Sequence, residues 1–155
     1  MQVLNELEQV RWDEFAQPHW NARDEVPSAL RALADTTKSD DSTAYHRLLY
    51  AVGNNHSGTY FPVVLPTIPF IGQILEQAQL AARLRALDVL VDLVGSFSPD
   101  PAFGQVATSQ GLRSLHRLLN EAVRGQAVAI ERCRSNSESP EEARLAEELL
   151  SLLQD

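Results

Sequence analysis

A single cysteine, Cys133, and a single lysine, Lys38, stand in this chain of 155 residues. One cysteine closes no intramolecular disulfide and builds no cysteine-rich zinc cage, which suits a reducing compartment. Cys133 reads as a small apolar side chain rather than a nucleophile. Long apolar runs are also missing: none approaches the ~20 residues that cross a bilayer, and the longest, residues 63–75, contains two prolines. The opening MQVLNELEQVRWDEF has acids where a secretory leader carries bases, and no apolar stretch follows. The expected location is therefore cytoplasmic, without a membrane partner.

Bases are scarce overall. Thirteen face twenty-one acids, for a net charge of −8. Affinity for nucleic acid comes from replacing phosphate counterions with Lys and Arg, so this surface disfavours nucleic-acid binding. The same field attracts a basic protein and speeds the encounter. With 44% hydrophobic residues, the chain has the material for one domain, residues 1–155, burying roughly 70% of its unfolded surface.

What is present is helical periodicity. Val3, Leu4, Leu7 and Val10 mark a short first helix, and a loop pinned by Trp12, Phe15 and Trp20 follows. Pro27 opens a helix in its first turn, where a missing N–H costs nothing, with Leu30, Leu33 and Ala34 inward. TTKSDDS forms a turn, and Asp40, Asp41 or Ser42 caps a helix reaching about Asn54 with Tyr45, Leu48, Leu49 and Val52 on its apolar face. Gly53 and Asn54 supply a left-handed stop. Residues 77–95 give the clearest helix, with Leu80, Leu84, Leu87, Val91 and Val94 in register. SFSPDPAFG is a connector. Residues 109–133 form a further helix with Leu112, Leu115, Leu119, Ala122 and Val123 on one face, split at Gly125. Ser139, Pro140 and Glu142 form a capping box ahead of a stripe of Leu145, Leu149, Leu150 and Leu153.

No run alternates cleanly enough for a strand. The expected fold is all-α, with six to eight helices paired through short turns, the grammar of a right-handed HEAT-like α-solenoid. A compact irregular helical bundle is the alternative.

Residues 54–70, NNHSGTYFPVVLPTIPF, gather polar groups and three prolines. Gly58 turns the chain, Ser57 or Thr59 caps the next helix, and prolines 62, 66 and 69 fall on one side of it. Pro66 and Pro69 delete amides owed to Pro62 and Leu65, so that helix bends or divides. His56 and Ser57 are adjacent, which keeps them from facing one another, and no nucleophile elbow surrounds the serine. His19, His46, His56 and His116 lack the i, i+4 spacing of a zinc pair. No catalytic, metal or cofactor site is therefore assigned.

The runs VRWDEF, DEVPSALRALAD and LLYAVGNNHSGTYFPVVLPTIPFIGQIL resemble a bacterial group of HEAT-repeat-like proteins. In that group a tryptophan opening precedes a "VP" helix start and a module of the form GN-x-x-HQGT-x-Y-x-A-T-x-x-x-x-PFL. The matching positions are Trp12, Val26, Pro27, Leu30, Leu33, Gly53, Asn54, His56, Gly58, Thr59, Tyr60, Pro66, Pro69 and Phe70, within residues 10–95. Ser57 replaces the glutamine, and Phe61, Pro62, Val63 and Val64 replace smaller residues. The resemblance implies a helical stack and a non-enzymatic immunity role, direct binding of a toxin or effector, and the net charge of −8 adds the expectation that this partner is basic. A regulatory or scaffold solenoid with a housekeeping partner is the alternative. The expected partner-binding residues are Trp20, Asp40, Asp41, His56 and Tyr60, in loops at one end of consecutive helix pairs.

Overall fold

Arg83 and Glu142, far apart in sequence, meet inside the protein. In this computed structural model, which describes residue 4 and residues 6 to 154, the Glu142 side chain is 1% exposed and its Oε2 accepts from Arg83 Nε at 2.7 Å. The pair joins α4 (Leu80–Gly95) to α7 (Pro140–Leu153). Seven α-helices lie among the described residues, the others being α1 (Glu25–Ala34), α2 (Thr43–Val52), α3 (Val64–Gln77), α5 (Leu115–Arg124) and α6 (Ala127–Ser135). The chain is mostly helical, and α4 touches α1, α2, α3, α5 and α7. Of the stripe expected on α4, Leu84 and Leu87 are buried while Leu80, Val91 and Val94 are only half-buried against the core; Ala81, Ala82, Ala86, Val89, Leu90 and Leu93 supply the rest of the buried face.

The N-terminal stripe appears only as a 3₁₀ turn at Leu7–Gln9, with Leu4 and Leu7 buried; Val3 lies outside the described residues. Trp12 is buried, donates its indole N–H to Leu7 O at 3.0 Å and meets Phe70 at a 6.0 Å centroid distance. Pro27 falls in the first turn of α1, as its missing amide requires.

Of the bend or division expected from the prolines, α3 excludes the division. It starts at Val64, so Pro66 falls in the first turn, where no amide is owed, and only Pro69 lies inside. An interior proline costs roughly 3 kcal/mol. Against that, Val64, Ile68, Phe70, Ile71, Ile74 and Leu75 are buried from this one helix. Each such side chain contributes about 1.5–3 kcal/mol, so burial wins and the element runs unbroken to Gln77. No side chain caps it: Ser57 and Thr59 instead pair with each other, hydroxyl to hydroxyl at 3.1 Å.

The expectation of a purely helical chain is also corrected. β1 (Gly53–Asn54) pairs antiparallel with β2 (Thr59–Tyr60), which pairs parallel with β3 (Ser98–Pro99). Gly53 is no left-handed stop: its φ is −177°, an extended conformation. Glycine is required because a Cβ there would sit 2.0 Å from Thr59 O and 2.6 Å from the Tyr60 Cα. Gly58, at φ +70°, makes the left-handed turn. A second hairpin, β4 (Gln105–Thr108) with β5 (Gly111–Ser114), stands where the helix after the connector was expected to begin. Leu112 consequently lies on a strand and is 72% exposed rather than on a helix's inner face. α5 and α6 are separated at Gly125, as expected.

The C-terminal cap keeps half of the expected box. Ser139 Oγ accepts from Glu142 N–H at 3.1 Å, and Pro140 opens the helix. Glu142, however, reaches Glu138 N–H at 2.8 Å rather than the cap residue's own amide. Burial alone raises the Glu142 pKa, but the Arg83 guanidinium and the Glu138 N–H outweigh it and hold the carboxyl below its ordinary value. A folded pKa below the unfolded one stabilises the fold fully above the unfolded value and loses that contribution as pH falls through the folded one. Thermal denaturation between pH 7 and pH 3 should show stability falling below pH ~4, with a shallower fall in Glu142→Gln. Arg83→Ala, which strands the buried carboxylate, should cost about 3–5 kcal/mol at pH 7.

Candidate functional site

α2 leaves its last carbonyls without helical partners, as every helix does. Here they are met from the loop before α1. Trp20 Nε1 donates to Tyr50 O at 3.0 Å, and Asn21 Nδ2 to Ala51 O at 2.7 Å, while Phe61 N–H closes on Val52 O at 2.8 Å. The first of these bonds lays the Trp20 indole on the Tyr50 ring, with centroids 4.8 Å apart and planes 17° from parallel.

Two histidines close the group. His19 meets Trp20 edge-on at 5.2 Å, and His56 meets Tyr50 edge-on at 6.2 Å. His56 is positioned by an Asx turn, in which Asn54 Oδ1 accepts from the amides of His56 and Ser57 at 3.0 and 3.3 Å. Trp20 is 37% and Tyr50 42% exposed. The result is a surface patch of four rings held from below by backbone bonds.

Of the residues expected to bind a partner, Trp20 and His56 come together here. Tyr50 joins them although the sequence reading did not nominate it; the available signal was an aromatic ring on the polar side of α2, off the Leu48, Leu49 and Val52 face. Tyr60 does not join them. It is fully buried, and burial pushes its phenol up to about 12. Asp40 and Asp41 are exposed but precede α2, whose far end carries the rings. At 1.5 Å per residue, Thr43 and Tyr50 are roughly 10 Å apart along the axis, so the five residues do not share one end of the helix pairs. Asp41 Oδ1 accepts from Thr43 N–H at 3.0 Å, which holds its carboxyl below the ordinary range.

The Ser57 hydroxyl lies within reach of Thr59 and the Asn54 carbonyl, and the His56 ring lies against Tyr50. His46 stands edge-on to Tyr45, and His116 meets Asn120 at 3.2 Å. Among the described residues, no three His, Cys, Asp or Glu side chains converge as a metal site would need. Among the described residues no helix is long and apolar enough to cross a membrane. No family model, curated protein or solved structure matches the chain.

The Tyr60 hydroxyl has no hydrogen-bond partner among the described residues. Tyr60→Phe should therefore change unfolding free energy by less than about 1 kcal/mol, whereas Tyr60→Ala, which empties the volume of a fully buried ring, should cost about 3–5 kcal/mol. Urea denaturation of the two variants measures both.

Proposed function

We propose that this protein is a non-enzymatic protein-binding module whose contact face is the Trp20–Tyr50 stack with its flanking histidines. The observation that carries the reading is the exposure of two stacked rings fixed by the Trp20 N–H to Tyr50 O bond. Tryptophan and tyrosine dominate interface hot spots because they bury large area with few rotatable bonds. A stack already locked in place also loses little conformational freedom on binding. The resemblance over residues 10–95 supplies the class of partner: a toxin, neutralised by direct binding. It also supplies the reading of α1 with α2 and α3 with α4 as HEAT-like pairs, and α6 packed on α7 extends that series.

The net charge of −8 favours a basic partner. Asp40 and Asp41, away from the rings, contribute to steering rather than to the hold. Rim charges of this kind act on association rates and their salt dependence.

The test is co-expression with the toxin-like product of a neighbouring gene. Growth should be rescued by the wild-type chain and lost with Tyr50→Ala at unchanged far-UV circular dichroism. Surface plasmon resonance should show Tyr50→Ala weakening the complex roughly 30-fold, about 2 kcal/mol, mainly through faster dissociation. Asp40→Lys with Asp41→Lys should instead slow association several-fold at low salt and leave dissociation nearly unchanged. Equal rescue by wild type and Tyr50→Ala would overturn the reading.

A further inference from the structure

Charge is unevenly distributed along the chain. Residues 104–134 carry five arginines and two glutamates, and the remainder carries eight bases against nineteen acids. This basic stretch folds as the β4–β5 hairpin, α5 and α6. It also presents Leu112, more exposed than either ring of the aromatic patch.

The hairpin leaves backbone groups open. Its sheet has two strands, so among the described residues neither outer edge is paired. Leu115 N–H donates to Gly104 O at 3.1 Å, and hydrogen-bonded pairs alternate along an antiparallel ladder. Counting from that bond, Val106 and Arg113 form a hydrogen-bonded pair and Ala107 and Leu112 do not. The N–H and C=O of Leu112 therefore point away from β4, along the outer edge of β5.

The charges beside this edge are partly committed. Arg113 pairs with Glu121 at 2.7 Å, and Arg124 Nε donates to Leu153 O at 2.9 Å. Arg117 is exposed and, among the described residues, makes no ion pair. It lines one shallow groove with Gln105, Leu112, Arg113 and Ser114. A free strand edge, an apolar side chain and an uncommitted guanidinium thus share one face.

We propose that the outer edge of β5 docks an extended acidic segment of a partner protein as a third strand. The Leu112 backbone supplies ladder bonds, its side chain an apolar contact and Arg117 the counter-charge. The edge selects a polypeptide because its N–H and C=O match another backbone, which nucleic acid lacks. Two copies meeting edge to edge at β5 would bring arginine towards arginine, so a second copy is the poorer occupant. This face lies on different elements from the aromatic patch and has the opposite charge preference, so the two assignments stand or fall separately.

The probe is a fluorescein-labelled peptide of alternating valine and glutamate, compared with its valine–lysine counterpart. Fluorescence anisotropy of the full chain should show binding of the glutamate peptide at least tenfold tighter, with amide NMR shifts confined to residues 105–117. Arg117→Glu should weaken it at least tenfold. Leu112→Pro, which removes an outward N–H and no ladder bond, should do the same without changing the far-UV spectrum. Absence of binding, equal binding of both peptides, or shifts centred elsewhere overturns the proposal. So does a dimer in sedimentation velocity that Leu112→Pro dissolves, since a second copy would then occupy the edge.

Discussion

A carboxylate inside a protein is tolerated only when its charge is answered, and Glu142 is answered three times. Arg83 reaches it through two nitrogens, Nε at 2.7 Å and Nη2 at 3.3 Å, and the Glu138 amide adds a third donor at 2.8 Å. Because an ion pair of this kind gains little over an apolar pair of the same shape, its main effect is on alternatives. Any packing of α7 on α4 shifted by a turn would leave the charge bare. Arg83 also donates to Ala78 O, where the chain turns out of α3, so the side chain that fixes α7 fixes the α3–α4 corner as well. From this frame the two surfaces extend in opposite directions along the chain, the aromatic patch through α2 and the basic hairpin through α5.

The C-terminal helix shows what sequence discloses and what it conceals. Ser139, Pro140 and Glu142 announce a helix start because capping is settled within four residues of chain. The partner of Glu142 lies 59 residues away, and no local spacing carries that information. The same division explains the prolines of α3. Their deleted amides were legible, but the register of the helix start, which makes Pro66 harmless, depends on Val63 N–H bonding to Ala16 O across the fold.

Two misreadings had a common cause. Leu112, Leu115 and Leu119 follow a spacing of three and four, so a helix was expected to include all three. In the hairpin, Ser109 and Gln110 keep ordinary φ and Gly111 takes φ +94°, the pattern of a turn closed by a left-handed glycine. Gly111 was the available signal, and the leucine spacing masked it. Likewise Gly53 and Asn54 do end α2, but through a backbone approach of 2.0 Å to a would-be Cβ rather than through positive φ. In both places a hairpin pairing between neighbouring segments decided between two local readings that the residues alone left balanced.

The candidate site was half legible for a related reason. Trp20 and His56 stood out by residue type, and type is a property of the sequence. That they meet over Tyr50 follows from the unpaired carbonyls of α2, which draw the 17–21 loop onto the end of the helix. The indole serves both purposes at once: its N–H caps a helix and its ring remains partly in solvent. A tryptophan used only as an anchor is buried as Trp12 is, with its N–H on Leu7 O and its ring against Phe70. Trp20 makes the same kind of anchoring bond yet keeps 37% of its surface exposed, stacked on a second exposed ring. Anchoring accounts for the bond but not for the exposure, and the unexplained part of that geometry is the part a partner would use.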